Sequence, residues 1–595
     1  MSLATLNDIF FSIVERNRER VMMYRQALQW VPISSRELYR GVAGVSHALA
    51  GWGLSKGDRV AILSENRPEW TITDFACQLL GLVSVPIYST LTAEQSAFIL
   101  QDAGVRVVFV SSEQQLRKVQ AILSQTPVEK IVVMDPVEIA HVFHMERLMR
   151  DGPTNREPEL DARSCSIAAD DLATIIYTSG TTGVSKGVML THRNLASNIE
   201  FSLKGFDLGG DHISVSFLPL SHVTARHVDF ALLFHGVTLA YCPFIDQLAP
   251  TLLEVRPTLF VAVPRVYEKI HAQAELKAKD FAKNLVFRWA LAVGREHEPE
   301  ILAGKTPNSR SWKLANRLVY SKVREGMGGR VRVFISGGAP LGRELAEWYA
   351  LIGIRIHEGY GLTETSPVIA VNTPRNHKLG TVGQPLANVE VTIADDGEIL
   401  VRGPSVFKGY WKRLDETANA FVDGWFKTGD IGKLDADGFL SVTDRKKDLI
   451  KTSGGKFIAP QPIENSLKHN VLIAEAIVLG DKRRFPAVLI SPYFSLLEDW
   501  ARSNQVAFRS RIELVANPKV QALYEGIVED LNRNLARFEK LKKVLLIADE
   551  FSASDGTLTH TMKVRRRAIE ERYQKVIDDM YAHAEAAPVA GHISG

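Results

Sequence analysis

Cysteine is scarce in this chain of 595 residues: Cys77, Cys165 and Cys242 stand far apart and in no metal-ligand spacing. They can build neither a disulfide framework nor a zinc site, which points to a reducing, cytoplasmic compartment. Long apolar runs are missing as well. The most apolar windows, 230–244 and 472–490, are broken by His235 and by Asp481, Lys482, Arg483 and Arg484, so no stretch of about 20 apolar residues is available to cross a bilayer. The first twenty residues carry Glu15, Arg16, Arg18, Glu19 and Arg20 and suit an amphipathic helix, not a secretory signal. An excess of one charge is also absent overall, because the formal net charge is only +3 and by itself selects no partner. Its distribution is uneven. Between Arg265 and Arg330 there are 14 Lys/Arg against 7 Asp/Glu, which leaves the rest of the chain at −4.

What is present is a concentration of hydroxyls, glycines and one lysine in Tyr177-Thr-Ser-Gly-Thr-Thr-Gly-Val-Ser-Lys-Gly187, directly after the apolar run Leu172 to Ile176. Glycines allow backbone N–H groups to converge on an anion, the hydroxyls of Thr178, Ser179, Thr181 and Thr182 add donors, and Lys186 adds charge. The spacing is not that of the common P-loop, which requires glycine before the lysine; Ser185 stands there. A flexible linker would have the same composition, but linkers are rarely flanked by two strand-like apolar runs.

Length implies more than one structural unit. Strand-like runs alternate with helical patterns at Arg59 to Leu63, Trp70 to Gly81, Val83 to Tyr88, Val105 to Val110 and Lys130 to Met134. That alternation predicts an α/β fold with parallel sheets covered by helices on both faces. After Gly380 the pattern changes to short strands and turns, such as Val389 to Ile393 and Glu398 to Arg402, predicting a β-rich subdomain over 380–444. The charged run Asp444-Arg-Lys-Lys-Asp448 then leads to Gly454-Gly455 and a compact α+β pattern ending near Tyr573, with a loose tail over the last ten residues. The expected division is a large N-terminal domain, 1–444, and a small mobile C-terminal domain, 445–595.

Three further groups carry chemistry. His357-Glu-Gly-Tyr-Gly-Leu-Thr-Glu-Thr365 follows the strand-like Ile352 to Ile356; Tyr360 can stack on a flat base, Thr363 can donate to a phosphate oxygen, and Glu364 can hold Mg²⁺, whose ligands are oxygens shared with substrate phosphates. Helix capping by Glu358 and Glu364 is the bland alternative. Asp423-Gly-Trp-Phe-Lys-Thr-Gly-Asp430 ends in a carboxylate suited to the two hydroxyls of a ribose, although an Asp after Gly is also an ordinary turn residue. Lys563, in Leu558-Thr-His-Thr-Met-Lys-Val-Arg-Arg-Arg567, would by pattern alone be a solvated lysine.

Taken together and in this order, the motifs resemble the adenylate-forming (AMP-binding) superfamily of acyl-CoA synthetases, luciferases and peptide-synthetase adenylation domains. Tyr177 to Gly187 matches its phosphate loop, Ile335-Ser-Gly-Gly-Ala-Pro340 and Glu358 to Glu364 its adenine and Mg²⁺ motif, Thr428-Gly-Asp430 its ribose motif, and Asp444 to Lys451 with Gly454-Gly455 its hinge. Leu218-Pro-Leu-Ser-His222, Val263-Pro-Arg-Val-Tyr-Glu-Lys269 with a long helical insertion after it (267–330), and Thr561-Met-Lys563 are most similar to the long-chain fatty acid CoA ligases. Ser185 departs from the family's usual proline, and Met562 from the glycine of many relatives.

The resemblance implies ATP-dependent activation of a long-chain fatty acid to an acyl-adenylate and its transfer to CoA, with AMP and pyrophosphate as the other products. Thr178, Ser179, Gly180, Thr181, Thr182, Gly338, Ala339, Pro340, Glu358, Gly359, Tyr360, Gly361, Asp430 and Arg445 would contact ATP. Lys563, Glu364, Thr363 and Lys186 would be catalytic, with Mg²⁺ on Glu364 and Thr181. His222 would guard the carboxylate, Lys447 would be the hinge, and Gly454, Gly455 and Lys456 would approach CoA. The basic segment, with Phe281, Phe287, Trp289, Trp312 and Tyr320 among its cations, suits peripheral contact with an anionic inner membrane surface; a solvated helical pair has the same composition. No nucleic-acid motif accompanies the charge, so no nucleic-acid partner is expected.

Alternatives within the same chemistry are an acyl-AMP ligase and a CoA ligase for a medium-chain or aryl acid; a non-catalytic nucleotide- or lipid-binding relative is an alternative of another class. Gly-x-Ser-x-Gly occurs at Gly53 to Gly57 and Gly183 to Gly187, but Ser55 and Ser185 each precede a strand-like run, whereas a hydrolase nucleophile sits on a strand-to-helix turn.

Overall fold

The computed structural model describes residues 3–178, 185–278, 280–453, 456–552, 555–559 and 564–586. Two large sheets form the N-terminal part. In the first, eight strands run in the order Gly409–Tyr410, Lys186–Thr191, Leu172–Thr178, Val83–Ile87, Arg59–Leu63, Val105–Val110, Lys130–Val133 and Phe143–His144. Its centre is parallel, as the alternating pattern predicts, with Arg59 beside Val83 on one side and beside Val105 on the other. These strands are buried and rich in Val and Ile, the composition of a parallel sheet covered on both faces. The second sheet has nine strands, with Ile213–Ser216, Leu259–Ala262, Val333–Gly337 and Ile356–Gly361 parallel at its centre.

Helices between the sheets close the main core. Leu6–Glu15 is the amphipathic helix expected at the amino terminus, and its apolar face is spent inside: Leu6, Ile9, Phe10 and Ile13 are buried, with Phe10 against Phe75 at 5.4 Å between ring centroids. The helix Pro68–Leu79 begins two residues before the predicted Trp70 because Pro68 occupies its first turn, where a missing N–H costs nothing. Arg226, on the helix Val223–Phe234, reaches Asp74 on Pro68–Leu79 in a bidentate pair of 2.6 and 2.9 Å, and both side chains are buried.

The β-rich region forms a five-stranded antiparallel sheet of Glu390–Ile393, Glu398–Arg402, Phe421–Val422, Trp425–Leu434 and Leu440–Arg445. Residues 446–449 link it to a hairpin of Ile450–Lys451 and Phe457–Ile458 and then to the three-stranded sheet Ile473–Leu479, Ala487–Pro492 and Val544–Leu546. The C-terminal pattern continues beyond the expected end at Tyr573. The helix Arg566–Ala586 carries Ile569, Ile577 and Tyr581 into a cluster with Ile477, Leu479 and Leu489, so the packed pattern reaches at least Tyr581. The last nine residues lie outside the described ones.

A second correction concerns 352–361. The apolar run Ile352 to Ile356 is not the strand; Ile352 closes the helix Arg343–Leu351 and the strand is Ile356–Gly361. The motif His357-Glu-Gly-Tyr-Gly361 is therefore itself extended, with alternate residues on opposite faces of the sheet.

Candidate active site

The parallel strands of the second sheet open at their carboxyl ends onto a cleft of about 3960 Å³, the location where open α/β sheets bind ligands. Val333–Gly337 delivers Gly338, Ala339 and Pro340; Ile356–Gly361 delivers Glu358, Gly359, Tyr360 and Gly361, followed by Thr363 and Glu364. From the β-rich sheet come Asp430 and Arg445, and from the first sheet Thr178 and Lys186. His222 and Lys447 line the same cleft. Fifteen residues singled out in the sequence thus converge from three sheets. Lys456 does not line it. Ser179, Gly180, Thr181, Thr182, Gly454, Gly455 and Lys563 lie outside the described residues, although Thr559 and Val564, on either side of Lys563, are in the cleft wall.

The phosphate-loop motif joins two antiparallel strands, Leu172–Thr178 and Lys186–Thr191, with Thr178 opposite Lys186. A strand-to-strand connection is not a nucleophile elbow, which disposes of Ser185 as a hydrolytic nucleophile. Lys186 is held at the cleft by an ion pair with Glu416 and lies 5.6 Å from the centre of the Tyr410 ring.

Tyr410 belongs to the edge strand Gly409–Tyr410, which pairs with Lys186–Thr191 and places Tyr410 opposite Val188. Its hydroxyl donates to Glu364 Oε1 at 2.9 Å. Burial raises the Glu364 carboxyl above its usual range, while the backbone, the Tyr410 hydroxyl and Arg445 pull it back. Neither Tyr410 nor Glu416 was singled out in the sequence. Their signal was weak, because each sits more than 40 residues from the motif residue it serves and only the edge-strand pairing brings them together.

A second group fixes Asp430. Its Oδ2 accepts the Tyr360 hydroxyl at 2.7 Å and its Oδ1 faces Arg445 Nε at 3.1 Å across the register pair Asp430 and Arg445. Gly361 follows Tyr360 because nothing larger fits: a Cβ there would come within 1.8 Å of the Pro367 carbonyl oxygen. Burial pushes the Glu358 carboxyl up to about 7 and lowers the Lys447 ammonium, in the 446–449 link. His222 caps the helix Val223–Phe234, with Nδ1 accepting the Thr224 N–H at 3.1 Å. That bond leaves the proton of a neutral ring on Nε2. His222 thus caps a helix and lines the cleft.

From the polar end the cleft extends into an apolar arm that the sequence could not place. Phe217, Leu218, Leu248 and Leu252 line one side; Ile270, Ala274, Val286, Phe287 and Val319 of the basic segment line the other. That segment is helical, as expected, and comprises Pro264–Lys277, Phe281–Leu302, Arg310–Ala315 and Ser321–Glu325 with a wider turn at Asn316–Tyr320. The C-terminal unit closes the far wall through Arg265, which donates to the Ala474 carbonyl at 2.9 Å and pairs with Glu475 at 3.3 Å.

Among the described residues no group of three or more His, Cys, Asp or Glu side chains could hold a metal ion. Glu364 alone suits Mg²⁺, which is commonly held by one carboxylate together with substrate phosphates.

Comparisons with known proteins agree with this geometry. Residues 10–411 match the AMP-binding enzyme family and residues 447–585 match the AMP-binding enzyme C-terminal domain. The chain is 36% identical over 581 residues to the long-chain-fatty-acid–CoA ligase FadD15 of Mycobacterium bovis, covering 95% of each protein. It is 32% identical to the peroxisomal long chain acyl-CoA synthetase 7 of Arabidopsis thaliana, covering 98% of this chain and 87% of that protein. In fold it is similar to the anthranilate CoA ligase AuaEII in complex with anthranoyl-AMP, with a TM-score of 0.73 at 20% identity and 99% coverage of both chains. With a family match over two thirds of its length and relatives matched over 95% of the chain, the chain belongs to the AMP-binding enzyme family.

Proposed function

We propose that the protein activates a long-chain fatty acid with ATP and transfers the acyl group to CoA, releasing AMP and pyrophosphate. One observation carries this reading: a single cleft joins a polar end built from Lys186, Glu364, Tyr360 and Asp430 to an apolar arm between Phe217, Leu248, Phe287 and Val319. The ligase and synthetase names of the relatives agree with it.

A carboxylate resists attack because its charge is delocalised and oxide is a poor leaving group. In the first step an oxygen of the fatty carboxylate attacks the α-phosphorus of ATP; the bond to the bridging oxygen breaks and pyrophosphate departs with its electron pair. Lys186 and the hydroxyls of the 178–182 loop neutralise the charge that accumulates on pyrophosphate. Thr363 holds the α-phosphate, Asp430 accepts from the ribose hydroxyls, Arg445 supports Asp430, and Tyr360 packs on adenine beside Gly338, Ala339, Pro340 and Glu358. Glu364, with Thr181, would hold Mg²⁺, which when bound screens the triphosphate charge. Lys563 bridges carboxylate and α-phosphate, a task for a compact cation. In the second step the CoA sulfur attacks the acyl carbon and AMP leaves. A turn about Lys447 between the domains 1–444 and 445–595 would withdraw Lys563 and bring Gly454, Gly455 and Lys456 toward the thiol.

The mouth of the apolar arm supports peripheral membrane contact. Phe281 is 88% and Leu285 65% exposed on the helix Phe281–Leu302, whose Ala282, Lys283 and Val286 line the cleft, and the exposed Phe244 and Ile245 line it together with Lys322. Apolar side chains ringed by lysines suit an anionic bilayer that holds the substrate. No helix among the described residues is long and apolar enough to cross a membrane. The test is pyrophosphate release and thioester formation with acids of graded length. Release confined to aryl or short acids would contradict the substrate, and adenylate without thioester would contradict the acceptor.

A further inference from the structure

A second cavity, of about 920 Å³, lies at the opposite end of the strands that carry the active site. The carboxyl ends of Val333–Gly337 and Ile356–Gly361 face the large cleft, whereas Val331 to Phe334 and Gly353 to His357, at their amino ends, line this one. Among the described residues none lines both. The rest of its wall comes from 204–207, from 301–324 of the basic segment and from Pro374 and Arg375.

Its charge is one-sided. Lys204, Lys305, Arg324, Arg332, Arg355 and Arg375 line it against a single carboxylate, Asp207. Arg332 pairs with Asp211 at 3.7 Å. Arg355 donates to the carbonyls of Leu302 and Pro374 at 3.0 and 2.9 Å, and Arg324 to the Ile352 carbonyl at 2.9 Å and to the Asn316 amide oxygen. These neutral acceptors fix both guanidiniums without neutralising them. Gly304, which follows the helix Phe281–Leu302 with a φ of +77°, lies against the Arg355 guanidinium. Burial lowers the pKa of Arg324 and of Arg355, which means that both hold their charge where water does little to stabilise it.

His357 contributes to the wall as well; the residue is only 4% exposed, with Phe206 and His377 edge-on at 5.3 Å.

From this juxtaposition of six cations with one carboxylate, two of the guanidiniums fixed by neutral acceptors, we infer that the cavity is a binding site for a phosphate ester, separate from the active site. A lone carboxylate ligand would leave most of the charge unpaired, whereas a phosphate ester brings up to two charges and several acceptor oxygens that match guanidinium donors. The phosphate can belong to a soluble metabolite or to a lipid headgroup at the protein surface. The inference is independent of the reaction assigned to the large cleft.

Hydrogen–deuterium exchange on the full-length protein tests it, with glycerol 3-phosphate as one probe and phosphatidylcholine vesicles with or without phosphatidylglycerol as the other. Protection of 301–312 and 373–376 is expected. Lys305 and Arg375 are exposed, so a K305A/R375A double variant should fold, and it should need about tenfold or more probe for the same protection. In that variant the response of the large cleft, read at 185–191 and 428–431, should be unchanged. Protection by glycerol 3-phosphate assigns a soluble ligand, and protection by phosphatidylglycerol vesicles alone assigns a headgroup. Protection of these segments by neither probe, or an unchanged response in the double variant, overturns the inference.

Discussion

The Tyr410 hydroxyl donates to Glu364 Oε1 at 2.9 Å, joining an edge strand of the first sheet to the turn after Ile356–Gly361. The carboxylate proposed to hold Mg²⁺ is thus aimed by a residue 46 positions away. Tyr410→Phe should keep the ring and lose the bond. The expected result is a fall in kcat of about tenfold, the scale of a hydrogen bond to a charged group, with a higher Mg²⁺ requirement in a metal titration of turnover. An unchanged Mg²⁺ midpoint would show that the bond does not position the carboxylate.

Lys186 is paired with Glu416 at the cleft. Lys186→Ala should lower kcat/KM for ATP by about 10- to 100-fold, as expected for losing a charge-assisted phosphate contact. Glu416→Gln removes a competitor and should leave the ATP KM equal or lower. Steady-state ATP titrations separate the two; an ATP KM that rises as much in Glu416→Gln as in Lys186→Ala would contradict the assignment.

The Arg226 and Asp74 pair is buried between two core helices. Removing one partner strands the other charge in the interior, so Arg226→Ala should cost about 3–5 kcal/mol. Urea denaturation checks this. A loss below about 1 kcal/mol would mean that water reaches the site.

Asp229, buried on the helix Val223–Phe234, accepts from Ser216 Oγ at 2.6 Å, and burial raises its pKa to about 7. The unfolded carboxyl ionises near pH 4, roughly its unperturbed value. Between these limits the unfolded state binds fewer protons than the folded one, so this group makes stability fall as pH rises from about 4 to about 7 and then level off. Asp229→Asn should therefore gain stability relative to wild type across that window and hold the gain above it. Urea midpoints for both proteins at several pH values test this, and a difference that does not change with pH would contradict it.

Much of this was legible in the sequence for physical reasons. The Val and Ile run Val105–Val110 is a buried strand, as its composition predicts, and the motif segments end at the one cleft that their order suggested. What the sequence hid depends on contacts far apart along the chain. Ile352 to Ile356 looked like a strand because a helix end and a strand start are both apolar there. Tyr410 and Glu416 carry no motif and acquire their places only through edge-strand pairing. The apolar arm draws its lining from residues between Phe217 and Val319 that no motif groups together, and the one-sided cavity gathers Lys204, Lys305, Arg324, Arg332, Arg355 and Arg375 from separate parts of the chain.

The central claim is that one cleft makes an acyl-adenylate from a long-chain acid and passes the acyl group to CoA. The most direct measurement is quantification of pyrophosphate, AMP and acyl-CoA in one reaction containing ATP, Mg²⁺, CoA and a saturated C16 acid, beside the same reaction with Lys563→Ala. The account predicts equal amounts of the three products from the wild-type protein and loss of pyrophosphate release in the variant. Pyrophosphate release unchanged by Lys563→Ala, or AMP without acyl-CoA from the wild-type protein, would contradict it.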